Sequence, residues 1–73
     1  MAEYVRVTFA TSRQVWVDGQ SAGITNKVFQ VETGDHTFDL GPKQNYKPPS
    51  QECMVTGTLP QQPMVIPFER TDV

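Results

Sequence analysis

The sequence predicts an all-β fold, a small antiparallel β-sandwich of six or seven short strands. Apolar and polar residues alternate in several short segments, which is the period of a half-buried strand. Turn residues recur at roughly 8- to 12-residue intervals, as they do in sandwiches and barrels. No segment has capped helical spacing of its apolar residues, and the 73 residues suffice for one domain, residues 1–73.

The first two predicted strands occupy residues 4–9 and 14–17. Their alternation places Val5, Val7 and Phe9 on the inner face of the first strand. In the second strand Val15 and Val17 point inward, and Trp16 points outward. The small and polar residues between the two segments predict a loop.

Turn residues then divide residues 18–35 into two more strands. Asp18-Gly19 predicts a hairpin turn, because glycine adopts positive φ without steric cost and aspartate bonds nearby backbone amides. The short strand after it is predicted to carry Ile24 inward. A turn at Thr25-Asn26 precedes a strand over residues 27–32, and Thr33-Gly34-Asp35 is predicted to reverse the chain again. Gly23 and Gly34 are predicted to be structural turn residues.

The rest of the chain is predicted to form a strand at 36–40, a loop at 41–50, and strands at 52–57 and 64–69. Pro42, Pro48 and Pro49 punctuate the loop, which we expect Tyr46 to anchor. Pro67 lacks an amide hydrogen, so the last strand is expected at a sheet edge. Residues 70–73 are predicted to be a tail. The inward residues of these strands are predicted to be His36, Phe38, Leu40, Cys53, Val55, Met64, Ile66 and Phe68, with Thr37 and Asp39 facing water.

Composition disfavours several classes of function. The formal charge is −2, and the six basic residues are scattered along the chain, whereas phosphate-backbone binding needs a basic face. No apolar run approaches 18 residues, and the start lacks signal-peptide order. We therefore expect a cytoplasmic protein, or a cell-surface one if the chain is a fragment of a larger protein. The single cysteine, Cys53, agrees with a reducing compartment.

The order of glycines and apolar residues resembles the PEGA domain. The matching positions are Val15-x-Val17-Asp18-Gly19, Gly23-x-Thr25, Gly34-x-His36-x-Phe38-x-Leu40 and Tyr46. The resemblance covers about residues 9–68 and implies an immunoglobulin-like or prealbumin-like sandwich, related to carbohydrate-binding modules and used as an accessory domain in bacterial and archaeal proteins. Asn26 stands where that family usually has proline. The family supplies no catalytic residue.

Neither His36 nor Cys53 is expected to do chemistry. A metal site needs two or more convergent ligands, and alternation places Asp35 and Asp39 on the face opposite His36, so we expect a structural or hydrogen-bonding histidine, no metal and no cofactor. Cys53 lies in a predicted strand without an evident base, so it is expected to be a small buried apolar residue. The sequence therefore predicts that the protein is not an enzyme.

Trp16 is the candidate ligand-binding residue. An outward indole can stack on a sugar ring or anchor a protein interface, and Tyr4 and Tyr46 are candidates to extend that surface. The alternative is that Trp16 covers a small second cluster with Met54 or Val28.

The predicted function is a non-catalytic interaction or structural module, with a protein partner or self-association through an open sheet edge. A weak carbohydrate-binding module is the first alternative. A small-barrel nucleic-acid binder is the second, although the scattered basic residues argue against nucleic acid as a partner.

Overall fold

A computed structural model of the chain describes residues 2–41 and 45–71, and in these ranges the fold is all β, as predicted. No helix in the described ranges is long and apolar enough to cross a membrane. The strands are β1 (Ala2–Thr8), β2 (Gln14–Val17), β3 (Gln20–Ile24), β4 (Val28–Glu32), β5 (Gly34–Asp39), β6 (Tyr46–Lys47), β7 (Gln51–Val55), β8 (Met64–Pro67) and β9 (Glu69–Arg70).

The strands form two main sheets and one small one. A three-stranded sheet has the order β4-β1-β8, a four-stranded sheet has the order β3-β2-β5-β7, and β6 pairs with β9. All pairs are antiparallel except β1 with β8, which are parallel. The prediction that all strands pair antiparallel is wrong at this pair. The chain crosses from β7 in one sheet to β8 in the other, and β8 then runs in the same direction as β1.

The strand count is also higher than predicted. Strand β6 forms within the predicted loop, and β9 joins the last residue of the predicted strand 64–69 to the first residue of the predicted tail. Tyr46 pairs with Arg70 and Lys47 with Glu69. Each is only two residues long and too short for alternation to reveal. Pro42 of the predicted loop and residues 72–73 of the predicted tail lie outside the described ranges.

Alternation predicted most of the core correctly, and both main sheets contribute to it. Pro67 ends β8 at the edge of its sheet, as expected. Phe29, Cys53 and Met64 are partly buried against the core. The buried apolar residues are Val5, Val7, Phe9, Val15, Val17, Val31, Phe38, Leu40, Tyr46, Val55, Ile66 and Phe68.

The hairpin at Asp18-Gly19 is confirmed. Asp18 has φ of 53° and Gly19 has φ of 82°, and positive φ at both central residues is the two-residue turn that matches strand twist. Strand β3 therefore begins directly at Gln20.

The prediction that Ile24 points inward is wrong, and Gly23 is not a turn residue. Gly23 lies within β3 opposite Val15 and faces inward, where an added Cβ would be 2.5 Å from Cγ of Phe29. Ile24, the next residue, therefore points outward and is 41% exposed. The register shift between Val15 and Trp16 is invisible to a count of alternating residues.

The reversal predicted over Thr33-Gly34-Asp35 is tighter than expected. Strand β5 already begins at Gly34, so Asp35 is a strand residue opposite Met54. Gly34 has φ of 136°, a value that favours glycine. Thr37 and Asp39, predicted to face water, are half-buried.

The turn at Thr25-Asn26 is confirmed, and its two side chains form hydrogen bonds with the backbone of the β1–β2 loop. The Thr25 hydroxyl is buried, accepts a hydrogen bond from the amide of Arg13 at 2.8 Å and donates one to the carbonyl of Thr11 at 2.8 Å. The side-chain amide of Asn26 bonds both the N–H and the carbonyl of Phe9. Asn26 has φ of 67°, which proline cannot adopt, so the asparagine at this position has a local structural reason.

Candidate functional site

The aromatic residues predicted to bind a ligand do not share one surface. Trp16 lies on the outer face of the four-stranded sheet, paired with Ser21 and Asp39. Tyr4 lies on the outer face of the three-stranded sheet, opposite Gln30. Because the two sheets face each other across the core, these outer faces point in opposite directions.

Tyr46 is buried, not exposed. It is 4% exposed, packs edge-on against Phe9 and Phe68, and donates a hydrogen bond from its hydroxyl to the carbonyl of Gly41 at 2.7 Å. The expectation that Tyr46 anchors its loop is confirmed, whereas a stacking role would require an accessible ring.

Trp16 is half-buried. A Cβ added at Gly41 would be 2.8 Å from the indole Nε1, so the indole lies close against the backbone at Gly41. Gly41 has φ of 92°, and this conformation together with the close indole leaves no room for a side chain.

A polar groove of about 420 Å³ separates the facing edges of β3 and β4. Strand β3 contributes Gln20, Ser21 and Ala22, and β4 contributes Gln30, Val31 and Glu32. The remaining lining residues are Val17, Asp18 and His36. We call this the polar groove.

His36 and Asp18 bond each other in the lining of the polar groove. His36 Nδ1 is 2.7 Å from Asp18 Oδ2, and His36 Nε2 is 2.6 Å from the carbonyl oxygen of Glu32. The second Asp18 oxygen accepts a hydrogen bond from the amide of Thr37 at 2.9 Å. The bond with Asp18 is the main cause that raises the pKa of His36, and the same bond lowers the pKa of Asp18. The expected hydrogen-bonding role of His36 is confirmed.

An apolar cleft of about 440 Å³ lies on the opposite side of the sandwich, beside β7 and β8. Its lining includes the ion pair between Lys47 Nζ and Glu69 Oε2 at 3.5 Å. Gln51, at the start of β7, reaches across and donates a hydrogen bond to the carbonyl of Pro67 at the end of β8. The lining residues are Lys47, Pro48, Gln51, Pro67 and Glu69.

Strand β7 is an open edge of the four-stranded sheet. It pairs with β5 without a register shift, and in the described ranges no strand pairs with its other side. Its sequence, Gln51-Glu52-Cys53-Met54-Val55, contains no proline, glycine or lysine. Met54, on the outer face, is 55% exposed.

The other three edges of the two main sheets each carry a feature that hinders pairing. Strand β8 contains Pro67, and β3 contains Gly23 and a register shift against β2. Strand β4 has β3 alongside it. Natural sheets commonly protect their edges by such means, so β7 is the edge in the described ranges best suited to accept a further strand.

Cys53 and His36 are the two side chains that the sequence analysis weighed for chemistry. Burial is the main cause that raises the pKa of the Cys53 thiol, the opposite of what a nucleophile needs. Both nitrogens of His36 are engaged by hydrogen bonds. The described residues contain no group of three or more histidine, cysteine or acidic side chains that could hold a metal ion.

Sequence reasoning missed two hydrogen-bonded acids. Asp18 was predicted only to form a turn, and Asp35 and Asp39 were the acids weighed as partners of His36. Glu3 was not singled out, yet it is 8% exposed and accepts hydrogen bonds from the Thr33 hydroxyl at 2.6 Å and from the Thr58 amide and hydroxyl at 2.9 and 2.6 Å. These bonds lower its pKa to about 2. Glu3 has the same inward parity as Val5 and Val7 of β1. A charged residue at such a position was the signal in the sequence.

Compared with known proteins, the chain matches no family model, no curated protein and no solved structure. The likeness to the PEGA domain therefore stays a prediction from the residues that carry it.

Proposed function

We propose that this chain is a non-catalytic interaction module that binds an extended polypeptide along the open edge of β7. The observation that carries the proposal is that edge: a five-residue strand, regularly paired on one side, without the features that hinder pairing at the other edges. An added strand would complete the hydrogen bonds of the free backbone groups, and alternate side chains would provide selectivity.

The apolar cleft supports the same placement. It adjoins the start of β7 through Gln51, and Pro48 and Pro67 give it apolar walls. A polypeptide that continues past Gln51 would place its side chains near this cleft and near the ion pair of Lys47 with Glu69. The accessory role that the PEGA resemblance implies fits such a module.

Two charge-introducing variants test this proposal. Met54 and Val65 are each 55% exposed, Met54 on β7 and Val65 on the outer face of β8. Lysine is a residue by which natural edge strands resist pairing, so Met54→Lys is expected to prevent strand addition, and Val65→Lys is the matched control. Both replace exposed side chains, so each is expected to change the free energy of unfolding by only about 0.5 kcal/mol.

The experiment selects binders from a displayed library of unstructured 12-residue peptides and maps them on isotope-labelled protein by NMR. We expect selected peptides to shift and protect the backbone amides of β7, to lose binding to Met54→Lys and to keep it with Val65→Lys. Sedimentation of the protein alone tests a second copy as the bound strand, which would give twice the mass of 8.2 kDa. Peptides that shift only other strands, or that bind Met54→Lys as well as wild type, would show the proposal to be wrong.

A weak carbohydrate-binding module is the second candidate, and the position of the half-buried Trp16 on the outer face of the four-stranded sheet favours it. Sugar stacking on Trp16 predicts that wild-type protein is retarded in gels that contain the bound polysaccharide and that Trp16→Ala is not. Equal mobility of wild type and variant across a broad polysaccharide panel would remove this candidate.

A further inference from the structure

The two ring nitrogens of His36 both face groups that only accept hydrogen bonds. Nδ1 is 2.7 Å from a carboxylate oxygen of Asp18, and Nε2 is 2.6 Å from the backbone carbonyl oxygen of Glu32. A neutral imidazole carries one N–H and can donate only one of these bonds, whereas the imidazolium carries two. The ring can therefore donate both hydrogen bonds only when it is protonated.

The ring joins three parts of the fold. His36 belongs to β5, Asp18 to the turn between β2 and β3, and Glu32 to the end of β4. Strands β3 and β4 form the two sides of the polar groove, and both Asp18 and His36 line it. The two hydrogen bonds of the ring consequently fix the β2–β3 turn relative to β4.

We propose that His36 is a proton-dependent latch of the polar groove. The protonated ring holds the β2–β3 turn and the end of β4 together, and loss of one proton releases the end of β4. The proton leaves from Nε2, because the charge-assisted bond from Nδ1 to the Asp18 carboxylate is the stronger of the two. The resulting lone pair on Nε2 faces the carbonyl oxygen of Glu32 and repels it.

The groups around His36 favour the protonated ring. Asp18 raises the pKa of His36 chiefly through its hydrogen bond, the carbonyl of Glu32 raises it through the second hydrogen bond, and the charges of Asp18 and Asp35 add smaller increases. Cys53 lies opposite His36 on β7, and burial raises the pKa of its thiol, so the thiol is neutral there. Burial of the ring opposes protonation but is the lesser effect.

The sign of the pH dependence follows from these contacts. The folded protein holds the His36 proton more tightly than the unfolded chain, whose histidine has a pKa of about 6.5. The stabilisation is therefore complete below that value and is lost as pH rises through the higher pKa of the folded state. The carbonyl carbon of Glu32 reports the event locally, because its oxygen accepts the hydrogen bond from Nε2.

Two variants isolate the latch. Asp18→Asn removes the charge but keeps a residue that tolerates the positive φ of the turn, so the hairpin is retained. It is expected to lower the midpoint of the His36 titration. His36→Gln keeps a hydrogen-bond donor that does not titrate, so the Glu32 carbonyl carbon is expected to lose that titration step.

The experiment follows the His36 ring nitrogens by NMR from pH 5 to 9, together with the chemical shift of the Glu32 carbonyl carbon. In the wild type we expect the imidazolium signature to persist above the ordinary titration range and then disappear. At the same midpoint, the Glu32 carbonyl carbon should shift upfield, because its oxygen loses a hydrogen bond. A wild-type midpoint at or below about 6.5, an unchanged midpoint in Asp18→Asn, or a Glu32 carbonyl shift that does not follow the titration would each overturn the proposal.

Discussion

Replacing Thr25 with valine tests how strongly the Thr25-Asn26 turn holds the β1–β2 loop. Thr25 is 1% exposed, and its hydroxyl both accepts from the amide of Arg13 and donates to the carbonyl of Thr11. Valine has nearly the same shape but offers neither bond. The substitution thus removes two hydrogen bonds and leaves the volume of the site almost unchanged.

The expected loss is large for a domain of this size. Each unpaired backbone group costs about 1–3 kcal/mol, and water reaches the exposed loop in part, so we expect a total of about 2–4 kcal/mol. A 73-residue domain has a free energy of unfolding of roughly 4–11 kcal/mol. The melting temperature should therefore fall by roughly 10–30 °C.

The assay is urea denaturation followed by the fluorescence of Trp16, the single tryptophan of the chain. Thr25→Ser is the matched control, because it keeps the hydroxyl and removes one methyl group, at a cost of about 1 kcal/mol. If valine is tolerated as well as serine, the two hydrogen bonds do not hold the loop and the reasoning fails.

Three further predictions concern single contacts. Gly23→Ala places a Cβ 2.5 Å from Cγ of Phe29 and is expected to destabilise the fold by about 1–3 kcal/mol, measured by urea denaturation; an unchanged midpoint would contradict this packing. Tyr46→Phe removes the hydrogen bond to Gly41 and keeps the ring contacts, so a loss of about 1–2 kcal/mol is expected by the same measurement, and none if that bond is dispensable. The hydrogen bonds that lower the pKa of Glu3 to about 2 stabilise the fold above about pH 4.5, and this contribution should disappear as pH falls from 4.5 toward 2. Glu3→Gln should show a smaller change in stability over that interval, measured by denaturation at each pH, and an equal change would refute the assignment.

Alternation predicted the core because burial on one face imposes a period of two on each strand. Val5, Val7 and Val15 follow that rule without exception. Ile24 does not, because the register shift in the β2–β3 pair places Gly23 opposite the inward Val15 and leaves Ile24 pointing outward. Such a shift depends on backbone pairing between strands, which a single strand's pattern does not record.

The candidate surfaces were harder to predict than the core. Trp16 and Tyr4 have the outward parity that the sequence indicates, but parity does not say that β1 and β2 belong to different sheets. The partnership of His36 with Asp18 joins a strand to a turn 18 positions away. Only the three-dimensional course of the chain brings such residues together.

The parallel pairing of β1 with β8 has a consequence for how the chain folds. Strand β1 is the central strand of its sheet, and its partner along one side, Met64–Pro67, is synthesised about sixty residues later. A nascent chain on the ribosome therefore exposes one side of β1 until β8 has been synthesised. Closing so distant a contact carries a large loop entropy and favours slow folding.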